Sequence, residues 1–333
     1  MTRAQLRAFF WIVAATVAAS APFGYSDSLA NGGTALHGIV RGAVTGVVIA
    51  VPIGAVNLFV LDGALREPVR RLPFAWNMTL RFALYAAIIV GGLALGPILV
   101  PGGVAGGIRV RSLLFSAGLA IVFNLVNGAN QLLGLRVLVN FVSGRYHHPR
   151  VEERVLLFVD LESSTQIAER LGELRFLVFL NRFIGDVTDA VAREGGEIHK
   201  YVGDEVIATW PAGEGAAAIR ACFAAMATLA AHGPRYEREF GARADFRAGL
   251  HAGPVVLGEL GYTRMEIALL GDTMNTAARI HEQCRETGHR VIASDALLRG
   301  IAALPAGMAK QSLGSITLRG KEHALALYAL AAA

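Results

Sequence analysis

The chain has 333 residues, of which 54% are hydrophobic and only 17% charged. That balance is too apolar for an ordinary soluble protein and requires part of the chain to sit in a lipid bilayer. The net charge of +5 is unevenly divided: residues 1–150 carry 12 arginines, no lysine and three acids, whereas residues 151–333 carry 19 basic and 23 acidic side chains. The second half therefore lacks the basic surface that nucleic acid requires, and no nucleic-acid partner is expected. Cys222 and Cys284 are the two cysteines, and without metal-ligand spacing they argue against both a disulfide framework and a zinc site.

Four apolar runs come first, at residues 6–23, 42–61, 82–100 and 113–135. Each approaches the ~20 residues that cross a ~30 Å hydrocarbon core as a helix, so residues 1–142 are expected to form an α-helical transmembrane domain of about four helices. Residues 26–37 hold no Lys or Arg, whereas Arg66, Arg70, Arg71 and Arg81 follow the second run and Arg3 and Arg7 precede the first. The positive-inside rule then puts the amino terminus, the middle loop and everything after the fourth run in the cytoplasm, which makes the chain a multi-pass protein of the inner (plasma) membrane. Arg109 and Arg111, in the third connection, run against that rule. Ala18-Ala19-Ser20-Ala21 also fits a small-residue cleavage site, a reading that leaves three crossings and the same cytoplasmic second half.

The fourth run continues to Val142, ~46 Å of helix at 1.5 Å per residue, and is expected to leave the bilayer as a stalk. Asn124, Asn127 and Gln131 share one face of it, as a contact between helices or as a ligand site in the bundle. Residues 143–150 contain Gly144 and Pro149 and form the linker.

Beyond the linker, residues 153–159 read as a strand ending at Asp160, and a helical pattern over 164–194 closes at Gly195-Gly196. Residues 197–202 and 205–210 alternate as a hairpin around Gly203-Asp204; 213–231 is helical, 246–259 and 266–270 are strands, and 273–286 is a helix. A helix crossing between the first two strands predicts an α+β ferredoxin-like sheet for residues 151–333.

Asp160 at a strand end and Asp204 at a hairpin tip are placed to converge at one end of that sheet. Two carboxylates at one point suit magnesium or manganese, hard ions that take one or two carboxylates together with substrate phosphates. Taken singly, Asp160 also reads as part of a helix cap with Ser163 to Thr165, Asp204 as a turn residue after glycine, and Arg279 as a surface cation.

Four ordered blocks go further: FVDLESST at 158–165, HKYVGD at 199–204, FRAGLHAG at 246–253 and LGDTMNTAAR at 270–279. Together they resemble the motifs of class III nucleotide cyclases over about residues 151–330. The resemblance implies a homodimer with two active sites at the interface, each built from both chains, that converts ATP to 3′,5′-cyclic AMP and pyrophosphate. It implies that Asp160 and Asp204 hold two Mg2+ or Mn2+ ions, with the backbone carbonyl of Leu161 as a further ligand. It gives Asn275 the role of orienting the ribose, Arg279 that of stabilising charge at the α-phosphate, and Arg247 and Lys321 contacts to the triphosphate.

Lys200 stands where adenylate cyclases donate to the adenine ring. An ammonium is only a donor, so it matches the acceptor N1 of adenine and conflicts with the protonated N1 of guanine. The family's usual Asp partner is Ala268 here, so Glu266, Thr263 or a backbone carbonyl must accept from the adenine amino group. A guanylate or mixed-specificity cyclase therefore stays open, as does a nucleotide-binding receptor without turnover. The receptor predicts a lost metal Asp, Asn or Arg, and none is lost. No motif indicates whether the membrane half senses an unknown ligand or only anchors and dimerises.

Overall fold

The computed structural model describes residues 3–57, 73–100, 109–133, 148–261, 266–320 and 323–332. They form two compact units, Met1–Leu133 and Gly134–Ala333.

In the first unit the apolar runs become helices: α1 (Arg3–Ala30), α2 (Ala35–Ala55), α3 (Phe74–Leu95), which ends in a 3-10 turn at Gly96–Leu99, and α4 (Val110–Leu133). Among the described residues α1 and α2 have the length and hydropathy of a membrane crossing, while the apolar stretches of the others, Thr79–Leu95 and Val110–Leu125, are shorter. The expected stalk beyond Leu133 and the linker up to His147 lie outside the described residues. Of the polar face expected on α4, Asn124 donates to the Ala120 carbonyl of its own helix at 2.9 Å.

α1 and α2 pack antiparallel, backbone against backbone. A Cβ on Gly42 would stand 2.3 Å from the Ser20 carbonyl oxygen, and one on Gly24 2.3 Å from that of Gly38. Ser20 and Gly24 on α1 face Gly38, Gly42 and Gly46 on α2, small residues at every fourth position. Such stripes bring helices together where lipid removes the hydrophobic drive for association.

The second unit is an eight-stranded sheet with helices on both faces. Its elements are β1 (Arg150–Leu161), α5 (Ser164–Leu171), α6 (Glu173–Arg193), β2 (Glu197–Val202), β3 (Glu205–Pro211), α7 (Gly215–Phe240), β4 (Phe246–Leu260), β5 (Glu266–Leu270), α8 (Asp272–Thr287), β6 (Val291–Ser294), α9 (Asp295–Arg299), β7 (Met308–Thr317) and β8 (Ala324–Ala332). The strand order is β2-β3-β1-β4-β6-β8-β7, with β5 paired to β4 off that path.

β1 runs antiparallel between β3 and β4, and every residue from Arg154 to Val159 is buried. Coverage on both faces explains its continuous apolar run. Val155, Leu157 and Val159 pack with Phe179, Phe183 and Leu229 of α6 and α7. Leu156 and Phe158 pack with Leu257, Leu269 and Ala277 on the opposite face.

The structure corrects three sequence expectations. The helix expected over 164–194 is two helices, because Gly172 at φ 73° breaks it. The helix expected to end at 231 continues to Phe240 through Pro234. β6, α9, β7 and β8 were not anticipated.

α7 has the length and hydropathy of a crossing, yet Ala218, Ile219, Cys222, Ala225 and Leu229 are buried in the sheet core. Its apolar face is satisfied inside this unit. α8 approaches β4 closely because Gly249 has no side chain: a Cβ there would meet the His281 backbone nitrogen at 2.6 Å.

Candidate active site

Asp160 lies near the end of β1, opposite Glu205 on β3 and Arg247 on β4. Asp204 sits in the β2–β3 turn after Gly203, whose φ of 64° suits glycine and lets the hairpin reverse tightly. The register that pairs Glu205 with Asp160 brings Asp204, one residue earlier, near the Asp160 carboxylate.

Burial pushes the Asp160 carboxyl up to about 6; the neighbouring Asp204 pushes the same way, and Arg285 and Arg247 oppose. Glu205 is pushed up to about 7, first by burial and then by Asp160, Asp204 and Glu282. Asp160 and Glu205, both resisting ionisation at one sheet end beside Asp204, form a site that a cation would relieve. Among the described residues no group of three or more His, Cys, Asp or Glu forms a metal cluster. The Asp160–Asp204 pair thus offers part of a coordination shell and leaves the rest to phosphate oxygens and water, the habit of magnesium sites.

Sequence reasoning did not single out Glu205 or His281. His281 Nδ1 lies 3.9 Å from Glu205 Oε1, its Nε2 is buried without a hydrogen-bond partner, and burial, ahead of the Arg285 charge, pushes the ring down to about 4. A neutral imidazole thus closes this end of the sheet. The register that sets Glu205 opposite Asp160 was the available signal.

Between β1 and α5 the chain turns through Glu162 and Ser163. Ser163, at φ 58°, is the sole non-glycine residue with positive φ among the described residues, a conformation that stores strain. α5 starts without a side-chain cap, so its first N–H groups remain available to an anion. Arg247 Nη2 donates to Glu162 Oε1 at 2.5 Å.

Lys200 Nζ and Glu266 Oε1 lie 3.3 Å apart, both half exposed. Ala268 is buried opposite Gly258, so Glu266 is the acid that stands by the lysine.

α8 buries Thr273, Thr276, Ala277, Ile280 and Cys284, which leaves Asn275 and Arg279 on its outer face. Arg279 Nη1 donates to Glu282 at 2.6 and 2.7 Å. Among the described residues no hydrogen bond or ion pair joins Asn275 or Arg279 to Asp160 or Asp204. Lys321 lies outside the described residues.

Comparison with known proteins assigns this arrangement to a class. The family model for the adenylate and guanylate cyclase catalytic domain matches residues 146–332. Adenylate cyclase 2 of Rhizobium meliloti (strain 1021) is 32% identical over 302 residues, 87% of this chain and 83% of that protein. An adenylate cyclase of Anabaena cylindrica is 25% identical over 178 residues, 52% of this chain and 36% of that one. A solved bacterial light-regulated adenylyl cyclase shares the fold at a TM-score of 0.56 and 21% identity, over 67% of this chain and 65% of that one. The chain belongs to the adenylate and guanylate cyclase catalytic domain family.

Proposed function

We propose that the chain is a membrane-anchored adenylate cyclase acting as a homodimer, its catalytic half cytoplasmic and its first half a multi-pass helical bundle. The convergence of Asp160 and Asp204 at the end of β1 is the observation that carries this reading. The 32% identity to an adenylate cyclase across most of both chains supports the substrate class. The β2-β3-β1-β4 order, with helices crossing after β1 and β3, is read as the ferredoxin-like core.

In the proposed reaction the ribose 3′-oxygen of ATP attacks the α-phosphorus. A new P–O bond closes the 3′,5′ ring, the α–β bridging bond breaks, and pyrophosphate leaves with the electron pair. Asp160, Asp204 and the Leu161 carbonyl would hold two Mg2+ or Mn2+ ions, which when bound supply charge neutralisation at the triphosphate and acidify the 3′-hydroxyl. Arg247 exchanges Glu162 for a phosphate oxygen, a contact that suits its planar fork. The N–H groups that begin α5 add donors that need no charge. Asn275 and Arg279, outward-facing in one chain, reach the site of a second chain, where Asn275 orients the ribose and Arg279 meets the charge that grows on the α-phosphate. Lys321 completes the triphosphate contacts.

At the base, Lys200 donates to adenine N1 and Glu266 accepts from the 6-amino group. One observation favours a second reading, a mixed-specificity cyclase. The same Glu266 carboxylate can accept from guanine N1–H and the 2-amino group while Lys200 donates to O6. Incubating membranes that contain the full chain with ATP or GTP and manganese, beside an Asp204→Asn control, tests both readings. Cyclic AMP from ATP alone, abolished in the control, establishes the adenylate cyclase. Cyclic GMP at comparable rates establishes the mixed enzyme, and no product from either nucleotide sinks both.

A further inference from the structure

The helical unit holds a half-open cavity of about 150 Å³ between α1, α2 and α4, lined among others by Thr16, Thr45, Ile49, Ser116, Leu119 and Phe123. Arg41 and Arg109 also line it, and both donate to the Asp27 carboxylate, Arg109 at 2.8 Å. Asp27 is only 2% exposed and is the sole acid among the described residues of this unit. Arg111 is close by: its Nη2 lies 3.3 Å from Ser26 Oγ and its guanidinium 5.5 Å from the centre of the Phe23 ring.

One carboxylate thus faces two guanidiniums, Arg41 and Arg109, with Arg111 on the neighbouring Ser26 hydroxyl. Each guanidinium has five N–H donors, so Arg41 and Arg109 can hold Asp27 and still offer a fork to a second anion. These cations stand at the end of the bundle that carries the α1–α2 turn, the end that the positive-inside rule assigns away from the cytoplasm. They oppose the topology there, and the glycine stripe already joins α1 to α2 without them.

An apolar chamber with surplus positive charge at one end matches an amphipathic anion. We propose that this cavity binds a medium-chain acyl carboxylate, with its head on Arg41 and Arg109 and its methylenes among α1, α2 and α4. A volume of 150 Å³ holds about as many apolar atoms as a benzene ring, which suits most of the hydrocarbon of an eight-carbon acid. The site is independent of the catalytic reading, because binding alone tests it.

The experiment is equilibrium dialysis of radiolabelled octanoate against the full chain in nanodiscs of zwitterionic lipid. Ser116→Leu fills the cavity, and Arg109→Gln removes one fork while leaving Arg41 on Asp27; helical circular dichroism and thermal melts of the nanodisc samples report that each variant remains folded. The expected result is one saturable site per chain, at least tenfold weaker in Arg109→Gln and lost in Ser116→Leu, with competition by octyl phosphate and none by octanol. Equal competition by octanol would show that only the apolar lining is read and would overturn the proposal. So would competition by inorganic phosphate, which marks a bare anion site, or undiminished binding to Ser116→Leu, which marks partition into lipid.

Discussion

Lys200 and Glu266 meet at 3.3 Å from β2 and β5, strands that share no ladder hydrogen bonds with each other. Exposed pairs of this kind contribute about 0–1 kcal/mol to stability, so the fold does not depend on it. What the pair fixes is a donor beside an acceptor, the pattern that reads a purine edge. Glu266→Ala is expected to leave thermal stability within about 0.5 kcal/mol and to raise the KM for ATP roughly tenfold, the order of one lost hydrogen bond to a charged group. Steady-state kinetics separate the two: a fall in kcat with KM unchanged would remove Glu266 from base recognition.

Asp204→Asn should abolish turnover while stabilising the metal-free protein at neutral pH. The Asp160 carboxyl rises from 3.8 to about 6 in the fold, so the folded state binds this proton more tightly than the unfolded state. Its contribution is therefore complete below pH 3.8 and is lost as pH rises through about 6. Glu205, raised from 4.5 to about 7, extends the loss toward neutrality. After allowance for solvent screening the Asp160 contribution is on the order of 1 kcal/mol. Thermal melts from pH 4 to 8 without divalent ions check this, with a flatter profile expected for Asp204→Asn.

If Asp160 and Asp204 hold the proposed metal ions, protons and cations compete for the same carboxylates. The manganese concentration that gives half-maximal activity should rise as pH falls below about 6, because Asp160 then takes up its proton. A manganese titration at pH 5.5 and 7.5 measures it, and an unchanged midpoint would place the metal elsewhere.

Arg279→Ala is expected to lower kcat by roughly 10²- to 10³-fold, the effect of one lost donor to developing charge, with little change in stability because its partner Glu282 is an exposed neighbour on the same helix. If sites are shared between chains, co-expressing Arg279→Ala with Asp204→Asn restores activity. Random pairing of the two variants puts one intact site in about half of the dimers, or about a quarter of wild-type activity. Co-expressed variants that stay dead would place each site within one chain.

Gly249→Val forces a side chain into the α8 backbone, since even its Cβ would stand 2.6 Å from the His281 nitrogen. Overpacking of this kind costs about 1–3 kcal/mol. The half-life of thermal inactivation should shorten, and activity should fall further as α8 shifts Asn275 and Arg279.

The features set by local pattern were legible in the sequence. The alternation of residues 197–210 located the hairpin, and the buried run before Asp160 located the central strand. The features set by register and by small residues were not. β8 is a run of Ala and Leu (Ala324–Ala332) whose composition does not separate strand from helix, and β6 is four residues long. Glu205 enters the site only because antiparallel pairing sets it opposite Asp160. The small residues Ser20, Gly24, Gly38 and Gly42 look like a gap in an apolar run until two helices are seen to meet there.

α7 equals α1 in hydropathy and exceeds the length of α2, although its apolar face is core of the sheet unit. In the proposed membrane-anchored chain, the insertion machinery meets each apolar stretch during synthesis, before the fold that will cover it exists. The Gly215–Phe240 segment must therefore be buried by β1, β3, β4 and α6 before it is sampled as another crossing. Substitutions that merely slow folding of the sheet unit thus carry a hazard unrelated to catalysis: a chain threaded wrongly, with part of its catalytic half on the far side of the membrane.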